Sequence, residues 1–362
     1  MLNQIKKFVI QMLTGANIAV IILMLLVGFS YRLNPVEHPL TATVGLVFPV
    51  LLATDISFLL LFLVFRKRLV FIPVAGLVLC YIPIRYYSPI NIPHATPDDA
   101  IKVMSYNVFM FNRSDSTGLR RIADYVNNSG ASIVCMQEAD INDAVKAAFA
   151  SDYKYIDSAR TANFSESQII LSKYPILSKT RINENVKGCL CVAYEVLVDG
   201  DRTTVLNCHL EGTGLTPEER KDFHKLVKGN WKSDTIGAES KRMIVRLGEA
   251  SRRRTPQVEG ILKYINSRKG EPVLLFADIN DTPISYCRDQ LAKNLTDCYV
   301  ATGNGPGISY HYNTFYVRID NIMCSSDWQP YNFKVDRDID ASDHYPIWGY
   351  IKKTQHKDKK SH

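Results

Sequence analysis

Paired cysteines of the kind that bind zinc are missing from this sequence. Its 362 residues hold eight cysteines, and none of them forms a Cys-x-x-Cys pair. Because zinc sites in proteins usually show that spacing, the pattern argues against a zinc site. Cys287 and Cys298 could form a disulfide bond in an oxidising compartment, and the sequence leaves this open.

The part of the chain after residue 90 also lacks an excess of positive charge. It contains 36 Lys and Arg residues against 34 acids, and without the lysine-rich tail from residue 352 the numbers are 31 and 33. A protein that binds nucleic acid without sequence preference usually carries a clear basic excess. The sequence shows no internal repeat of solenoid length, which excludes a repeat architecture.

The first 90 residues, in contrast, contain three long apolar runs, at 8–29, 40–65 and 69–84. A membrane-spanning helix needs about 20 apolar residues. We predict three transmembrane helices, because a cleaved signal peptide would explain only the first run. Buried helices of a soluble protein fit three such runs poorly. Asp55 lies inside the second run, and we interpret it as a helix-packing contact rather than a proton relay.

Positive charge next to the apolar runs predicts their orientation. Lys6 and Lys7 precede the first run, and a basic triplet at 66–68 lies between the second and third. Such basic flanks stay in the cytoplasm. Everything after about residue 90 is therefore expected to be extracytoplasmic, as in a multi-pass protein of the inner membrane if the source is bacterial.

The remainder of the chain is predicted to form one α+β domain. A proline-containing linker at 91–100 follows the membrane domain at 1–90, and a basic disordered tail occupies 352–362. Between them, at 101–351, short apolar strands alternate with amphipathic helices, which indicates a mixed architecture of helices and sheets.

Polar side chains follow several apolar strands of this domain. Asp278 and Asn280 come directly after the apolar segment 273–276, and side chains two residues apart on a strand point the same way. The other polar residues at strand ends or short apolar segments are Asn107, Glu138, His209, Asp320, Asp343 and His344. Active sites are often built on such strand ends, because a rigid sheet fixes their geometry.

The residue types indicate which chemistry such a site performs. Carboxylates with amides suit Mg²⁺, a cation that prefers oxygen ligands, and histidines without cysteine partners suit acid–base work. Each residue alone has a simpler explanation: Glu138 as a helix cap, His209 as a hydrogen-bonded core histidine, and Asp320 as a surface partner of the nearby arginine. Their joint occurrence favours a site.

Six short motifs in order make the pattern specific. They are Ser105-Tyr106-Asn107, Gln137-Glu138, Asn207-Cys208-His209-Leu210, Asp278-Ile279-Asn280, Arg318-Ile319-Asp320 and Ser342-Asp343-His344-Tyr345-Pro346. This series resembles the endonuclease/exonuclease/phosphatase superfamily, which includes DNase I, and it does so over roughly 240 residues. The resemblance implies a four-layer α/β/β/α sandwich, here preceded by the three predicted transmembrane helices.

The resemblance also implies a metal site. Asn107 and Glu138 would lie at the metal, with Glu138 as the direct ligand, and Asp343 would complete the metal or water network. The expected ion is Mg²⁺, with Mn²⁺ as an alternative.

Five residues receive catalytic roles from the same resemblance. Asp278 would orient or deprotonate the attacking water, and Asn280 would position that water or the phosphate. His209 would donate to a phosphoryl oxygen. His344 would stabilise the transition state, with Asp320 fixing its tautomer.

A basic tract at 241–254 has two interpretations. It is a solvated helix face, or it contacts an anionic substrate or lipid headgroups. Arg246 and Arg253 recur on one helical face and are the candidate substrate contacts, together with Tyr312.

These observations predict a membrane-anchored, Mg²⁺-dependent hydrolase of phosphoric ester bonds. A lipid-derived or small phosphoester is the favoured substrate. A membrane-tethered nuclease acting on DNA is the alternative enzyme, and a non-catalytic ligand-binding module on the same fold is the alternative of another class. The expected partners are the phosphoester substrate and the lipid bilayer, and the sequence indicates no protein partner.

Overall fold

The computed structural model describes residues 2–112, 115–163, 165–184, 186–215, 235–312 and 315–354. Most of the predicted tail, at 355–362, lies outside these ranges. Its first two residues, Lys352 and Lys353, belong to the last strand of the fold.

Four helices form the N-terminal part. They are α1 (Leu2–Gly28), α2 (Phe48–Phe65), α3 (Phe71–Leu79) and α4 (Tyr81–Tyr87). By length and composition, Asn3–Arg32 and Pro39–Phe65 can each cross a membrane, whereas α3 and α4 pass that test only as a pair bent by 64°. Pro83 explains the bend, because it has no N–H to donate to the carbonyl group four residues earlier. The region of the third predicted span is therefore a bent helix pair, which corresponds to a broken span or to a re-entrant loop.

Asp55 lies where the first three helices meet. Its Oδ1 accepts a hydrogen bond of 2.8 Å from Nδ2 of Asn17 in α1, and both residues are fully buried. Gly76 of α3 comes so close that a Cβ at that position would lie 3.3 Å from Oδ2 of Asp55. This is the packing environment that the sequence interpretation gave to Asp55.

The domain that follows contains two six-stranded sheets. The first has the order β11-β12-β1-β2-β4-β3, and its strands β1 and β2 are parallel. Its strands are β1 (Ile101–Asn107), β2 (Ile133–Gln137), β3 (Tyr155–Arg160), β4 (Ser167–Ser172), β11 (Trp328–Val335) and β12 (Ile347–Lys353).

The second sheet has the order β5-β6-β7-β8-β10-β9, and its strands β7 and β8 are parallel. Its strands are β5 (Ile176–Ile182), β6 (Leu190–Val198), β7 (Asp201–His209), β8 (Val273–Asp278), β9 (Thr296–Asp297) and β10 (Asp320–Cys324). In each sheet the parallel pair brings two carboxyl strand ends to the same edge.

Helices cover the outer face of each sheet. Those described after residue 100 are α5 (Gly118–Asn128), α6 (Asp143–Phe149), α7 (Thr235–Ser267), α8 (Tyr286–Ala292) and α9 (Cys298–Thr302). Ile122 of α5 and Phe149 of α6 pack on the first sheet. Ile261 of α7 and Leu291 of α8 pack on the second. A third apolar core lies between the sheets, so the predicted four-layer sandwich is confirmed.

The two cysteines considered for a disulfide lie in different cores and are both free. Cys287 belongs to the core under α7 and α8, and Cys298 belongs to the core between the sheets. The nearest sulfur to Cys298 is that of Cys324, at 3.6 Å.

Candidate active site

Strand register brings three predicted catalytic residues together at one edge of the second sheet. The parallel pairing of β7 with β8 places His209 beside Asp278. The antiparallel pairing of β10 with β8 places Asp320 on the other side of Asp278. Since paired residues on neighbouring strands present their side chains to the same face, the three lie side by side.

Asn107 connects this edge to the first sheet. It ends β1, and its Nδ2 donates to Oδ2 of Asp278 at 3.0 Å and to Oε1 of Glu138 at 3.1 Å. Its Oδ1 accepts from the backbone N–H of Phe109 at 3.1 Å. All polar atoms of this buried amide therefore have partners, and the amide fixes the spacing between two carboxylates from different sheets.

Two site residues have left-handed backbones. Glu138, directly after β2, has a φ of 48°, and Asn280, directly after β8, has a φ of 55°. Asparagine tolerates this conformation, but it is strained for glutamate, and such strain concentrates at functional sites. The turn at Asn280 is held by its N–H, which donates to Oδ1 of Asp278 at 2.9 Å.

His209 lies among carboxylates. Its Nδ1 is 2.7 Å from Oε2 of Glu166, and its Nε2 is 3.2 Å from Nδ2 of Asn280. Burial alone would lower the pKa of His209. The hydrogen bond to Glu166 and the charges of Asp278, Glu166 and Glu138 outweigh burial and raise that pKa to about 9. At neutral pH the raised pKa favours the protonated ring, whose Nδ1–H donates to Glu166.

His344 has an equivalent arrangement on the other side of Asp278. Its Nδ1 is 2.8 Å from Oδ2 of Asp320, and its Nε2 is 3.8 Å from Oδ2 of Asp278. Burial opposes the charged ring, but Asp320 and Asp278 outweigh it and raise the pKa of His344 to about 10. The edge of the Tyr310 ring packs against the imidazole, with 5.0 Å between ring centroids.

Asp278 is the centre of the arrangement. Burial and the charge of Asp320 raise the pKa of its carboxyl group above the ordinary value, and the two histidines oppose this. Burial likewise raises the pKa of Asp343, to which the charge of Glu138 adds. Carboxyl groups with raised pKa values in a cleft are typical of catalytic sites.

One cavity of about 340 Å³ lies at this site, and Asn107, Asp278 and Asp320 are buried behind the side chains that line it. Glu138, Asn280, Asp343 and both histidines contribute its polar part. The cavity is large enough for a small substrate, since ligand pockets begin at about 300 Å³.

The comparison with family models agrees with this geometry. Residues 104–344 match the Endonuclease/Exonuclease/phosphatase family, which covers more than half of the chain. The chain belongs to this family. Residues 7–87 match a second model, a domain of unknown function (DUF8431). A comparison with curated proteins found no match.

Solved structures of the endonuclease/exonuclease/phosphatase family share the fold. A family protein from Bacteroides thetaiotaomicron is 16% identical, with a TM-score of 0.50, and the match covers 70% of this chain and 97% of that chain. An endonuclease/exonuclease/phosphatase from Beutenbergia cavernae is 15% identical, with a TM-score of 0.52, and the match covers 71% of this chain and 72% of that chain. At these identities the likeness concerns the fold alone.

Glu166 is a site residue that the sequence analysis missed. It lies directly before β4 and belongs to none of the six motifs. Because β4 runs antiparallel to β2, its start lies at the same edge as the end of β2. An acid just before an antiparallel neighbour of a site strand is the signal that could have identified it.

Of the three predicted substrate contacts, Tyr312 lines the cavity, whereas Arg246 and Arg253 do not. Half of the Tyr312 side chain is exposed. Arg253 instead donates from Nε to Glu211 at 2.6 Å, and Arg246 reaches the carbonyl oxygen of Gly214 at 3.4 Å. The arginine of this helix that lines the cavity is Arg254, which is buried and forms a 3.0 Å ion pair with Asp281.

Arg318 is not the surface partner of Asp320 that one reading of the sequence allowed. It is 2% exposed, and its guanidinium donates to the carbonyl oxygen of Pro306 at 2.7 Å and to those of Tyr86 and Tyr87. Asp320 is thereby left to pair with His344. Arg318 links the end of the membrane part to the strand that carries Asp320.

Proposed function

We propose that this chain is a membrane-anchored, divalent-metal-dependent phosphoesterase that hydrolyses a phosphodiester or phosphomonoester of a lipid-derived or small substrate outside the cytoplasm. The observation that carries the proposal is that His209 and His344, each hydrogen-bonded to its own carboxylate, line one cavity on either side of the buried Asp278. Two fixed cations beside a general base match what hydrolysis of a phosphoester requires.

The residues present fit a hard divalent cation. Asp278, Asp320 and His344 offer ligand atoms within 4.8 Å of one another, and Oδ1 of Asp320 is buried without a hydrogen-bond partner among the described residues. We assign the ion to Glu138, with Asn107 and Asp343 beside it, because carboxylate and amide oxygens are the ligands that a hard divalent cation prefers. When bound there, the cation would neutralise charge on the phosphoryl oxygens and make the attacking water more acidic.

The side chains perform the remaining steps. Asp278, with its raised pKa, accepts the proton of the attacking water, and Asn280 orients that water from the turn after β8. His209 and His344 donate to phosphoryl oxygens from Nε2, because Glu166 and Asp320 occupy their Nδ1 atoms. Charge on the transferred phosphoryl group is thus met by donors already in place, so little reorganisation is needed.

The contacts of the membrane part support one topology. Tyr31, just after α1, packs against Tyr86 of α4 with ring centroids 5.7 Å apart, and Arg318 of the catalytic domain binds the carbonyl groups of Tyr86 and Tyr87. The end of the first span and the end of the α3–α4 pair therefore lie on the same side. If α2 crosses the membrane, α3 and α4 must cross back, which supports the three predicted spans, and the basic flanks of these spans favour an extracytoplasmic catalytic domain.

The nuclease alternative has less support. The near-neutral charge of the soluble part argues against a general DNA binder. The non-catalytic alternative would leave the buried carboxylates and cationic histidines without a use, although their burial costs stability.

A substrate panel tests the proposal. The full chain in detergent or nanodiscs would be assayed with Mg²⁺ on an aryl phosphodiester, phospholipid and sphingolipid vesicles, inositol phosphates and plasmid DNA. We expect turnover of a non-nucleic-acid member that His344→Ala abolishes and that His94→Ala, a change in the exposed linker, leaves intact. Preferred cleavage of DNA would establish the nuclease, and metal binding without any turnover would establish the binding module.

A further inference from the structure

The segment between α1 and α2 forms part of the catalytic cavity. This inter-span segment is the 3₁₀ helix Pro39–Val47, which begins the candidate span Pro39–Phe65 and runs into α2. Thr43 and Leu46 from it line the same cavity as Glu138 and His209. A part of the membrane domain therefore belongs to the wall of the site.

The inter-span segment is held against the catalytic domain by close backbone contacts. A Cβ on Gly45 would lie 2.8 Å from Oγ1 of Thr282, two residues after Asn280. A Cβ on Gly248 of α7 would lie 2.6 Å from the carbonyl oxygen of Pro39. Both distances are shorter than real Cβ contacts, so glycine at these positions permits the approach.

Leu46 makes this wall of the cavity apolar. It packs against Leu215, Met243, Leu247 and Phe315, which form a separate small cluster. Leu46, Leu215, Leu247 and Phe315 also line the cavity. One side of the cavity is therefore hydrocarbon, while the opposite side carries the histidines and carboxylates.

The apolar wall continues into the membrane part of the chain. The inter-span segment runs directly into α2, whose outward-facing Val50 and Leu60 are 56% and 60% exposed. A helix of 18 residues is about 27 Å long, which matches the hydrocarbon thickness of a bilayer of about 30 Å. The inter-span segment then lies at the bilayer surface, and the cavity lies next to it.

We propose that the inter-span segment is a substrate-binding element, and that the apolar wall around Leu46 takes the acyl chain of a membrane lipid whose phosphoester reaches His209 and His344. The inference rests on the proposed phosphoesterase function and narrows its substrate class to amphiphiles. A cavity next to the bilayer that joins an apolar wall to a group of histidines and carboxylates matches an amphiphile in both polarity and position.

Matched substrates test this inference. The full chain in nanodiscs would be given two aryl phosphodiesters that differ only in carrying a short or a long acyl chain, and kcat/KM would be measured for each. We expect the wild type to prefer the long-chain substrate and Leu46→Asn to reduce that preference at least tenfold. Leu40→Asn, in the same segment but 55% exposed and outside the cavity lining, should keep the wild-type preference.

A second variant guards against a folding defect. If Leu46→Asn lowers the melting temperature strongly, Leu46→Phe is tested instead, because it narrows the cavity without adding a polar group. We expect Leu46→Phe to lower kcat/KM for the long-chain substrate more than for the short-chain one. A long-chain preference unchanged in both Leu46 variants, or an absence of preference in the wild type, would overturn the inference and leave the phosphoesterase intact. If the wild type cleaved neither substrate, the proposed function itself would fail.

Discussion

Glu166 should control the alkaline limb of the pH–rate profile through His209. The two side chains are 2.7 Å apart, and the pKa of His209 is about 9 instead of the ordinary 6.5. Glu166→Gln keeps the shape and a hydrogen-bonding group but removes the charge. Burial lowers the pKa of His209, and the charge of Glu166 counteracts this. Without that charge the pKa of His209 must fall.

The size of the fall follows from the charges that remain. Asp278 and Glu138 still face His209, each at 3.7 Å from Nε2. We therefore expect the loss of only part of the rise, roughly one to two pH units. Each unit corresponds to about 1.4 kcal/mol of stabilisation of the charged ring. Because Nδ1–H is bound to the side chain at position 166, Nε2 of His209 can donate only while the ring is protonated, so activity at high pH should be lost earlier in the variant.

The measurement is kcat/KM against pH, from about pH 6 to 10, at saturating Mg²⁺ on the best substrate of the panel. Glu249→Gln provides the control, because Glu249 is a surface partner of Arg252 and does not line the cavity. An alkaline limb that stays in place while the rate falls equally at every pH would refute the reasoning, since Glu166 would then only support the fold.

Four further predictions concern the site and its link to the membrane part. Asn107→Ala should lower kcat by about 10²- to 10³-fold without unfolding the chain, measured as turnover beside a thermal melt. In the metal-free protein, the raised pKa values of His209 and His344 give stability that is fully present below about pH 6.5 and is lost as the pH rises through about 9 and 10, so melting temperatures should fall across that window. Arg318→Met should cost about 2–3 kcal/mol, because it leaves buried carbonyl groups without a donor, and should expose the linker to protease. A chelator should abolish turnover, and added Mg²⁺ or Mn²⁺ should restore it; turnover that survives chelation would contradict the metal assignment.

The parts of the fold that were predictable are those set by local pattern. Asp278 follows a short apolar strand and precedes a proline, so both its strand and its place at the strand end can be read from the sequence. The order of six motifs then identified the sandwich. His209 and Asp320 lie beside Asp278, as the resemblance implied, because strand register places them there.

The parts that were missed depend on contacts between distant segments. Glu166 acts from the start of a strand, and its relevance appears only when β4 is seen to run antiparallel to β2. Arg254 rather than Arg253 faces the cavity, since a helical pattern does not reveal how the helix is rotated against its neighbours. The contact of the inter-span segment with α7 joins residues about 200 positions apart, and no periodicity signals it.

The hydrogen bonds from Arg318 to the carbonyl groups of Tyr86 and Tyr87 limit how far the catalytic domain can move away from the membrane part. A free linker of ten residues could extend by about 33 Å and let the domain sample the surrounding solution. Arg318 binds the last helix of the membrane part, and the backbone N–H of Asn91 donates a hydrogen bond to Oδ1 of Asn304 in the catalytic domain. The linker is therefore fixed at its first residue, and this freedom of the domain is removed. If α1 and α2 cross a bilayer, the cavity stays at a fixed height above it. If the substrate is the membrane lipid that we propose, encounters with it become a search in two dimensions, whose rate depends on surface density and lateral diffusion rather than on bulk concentration.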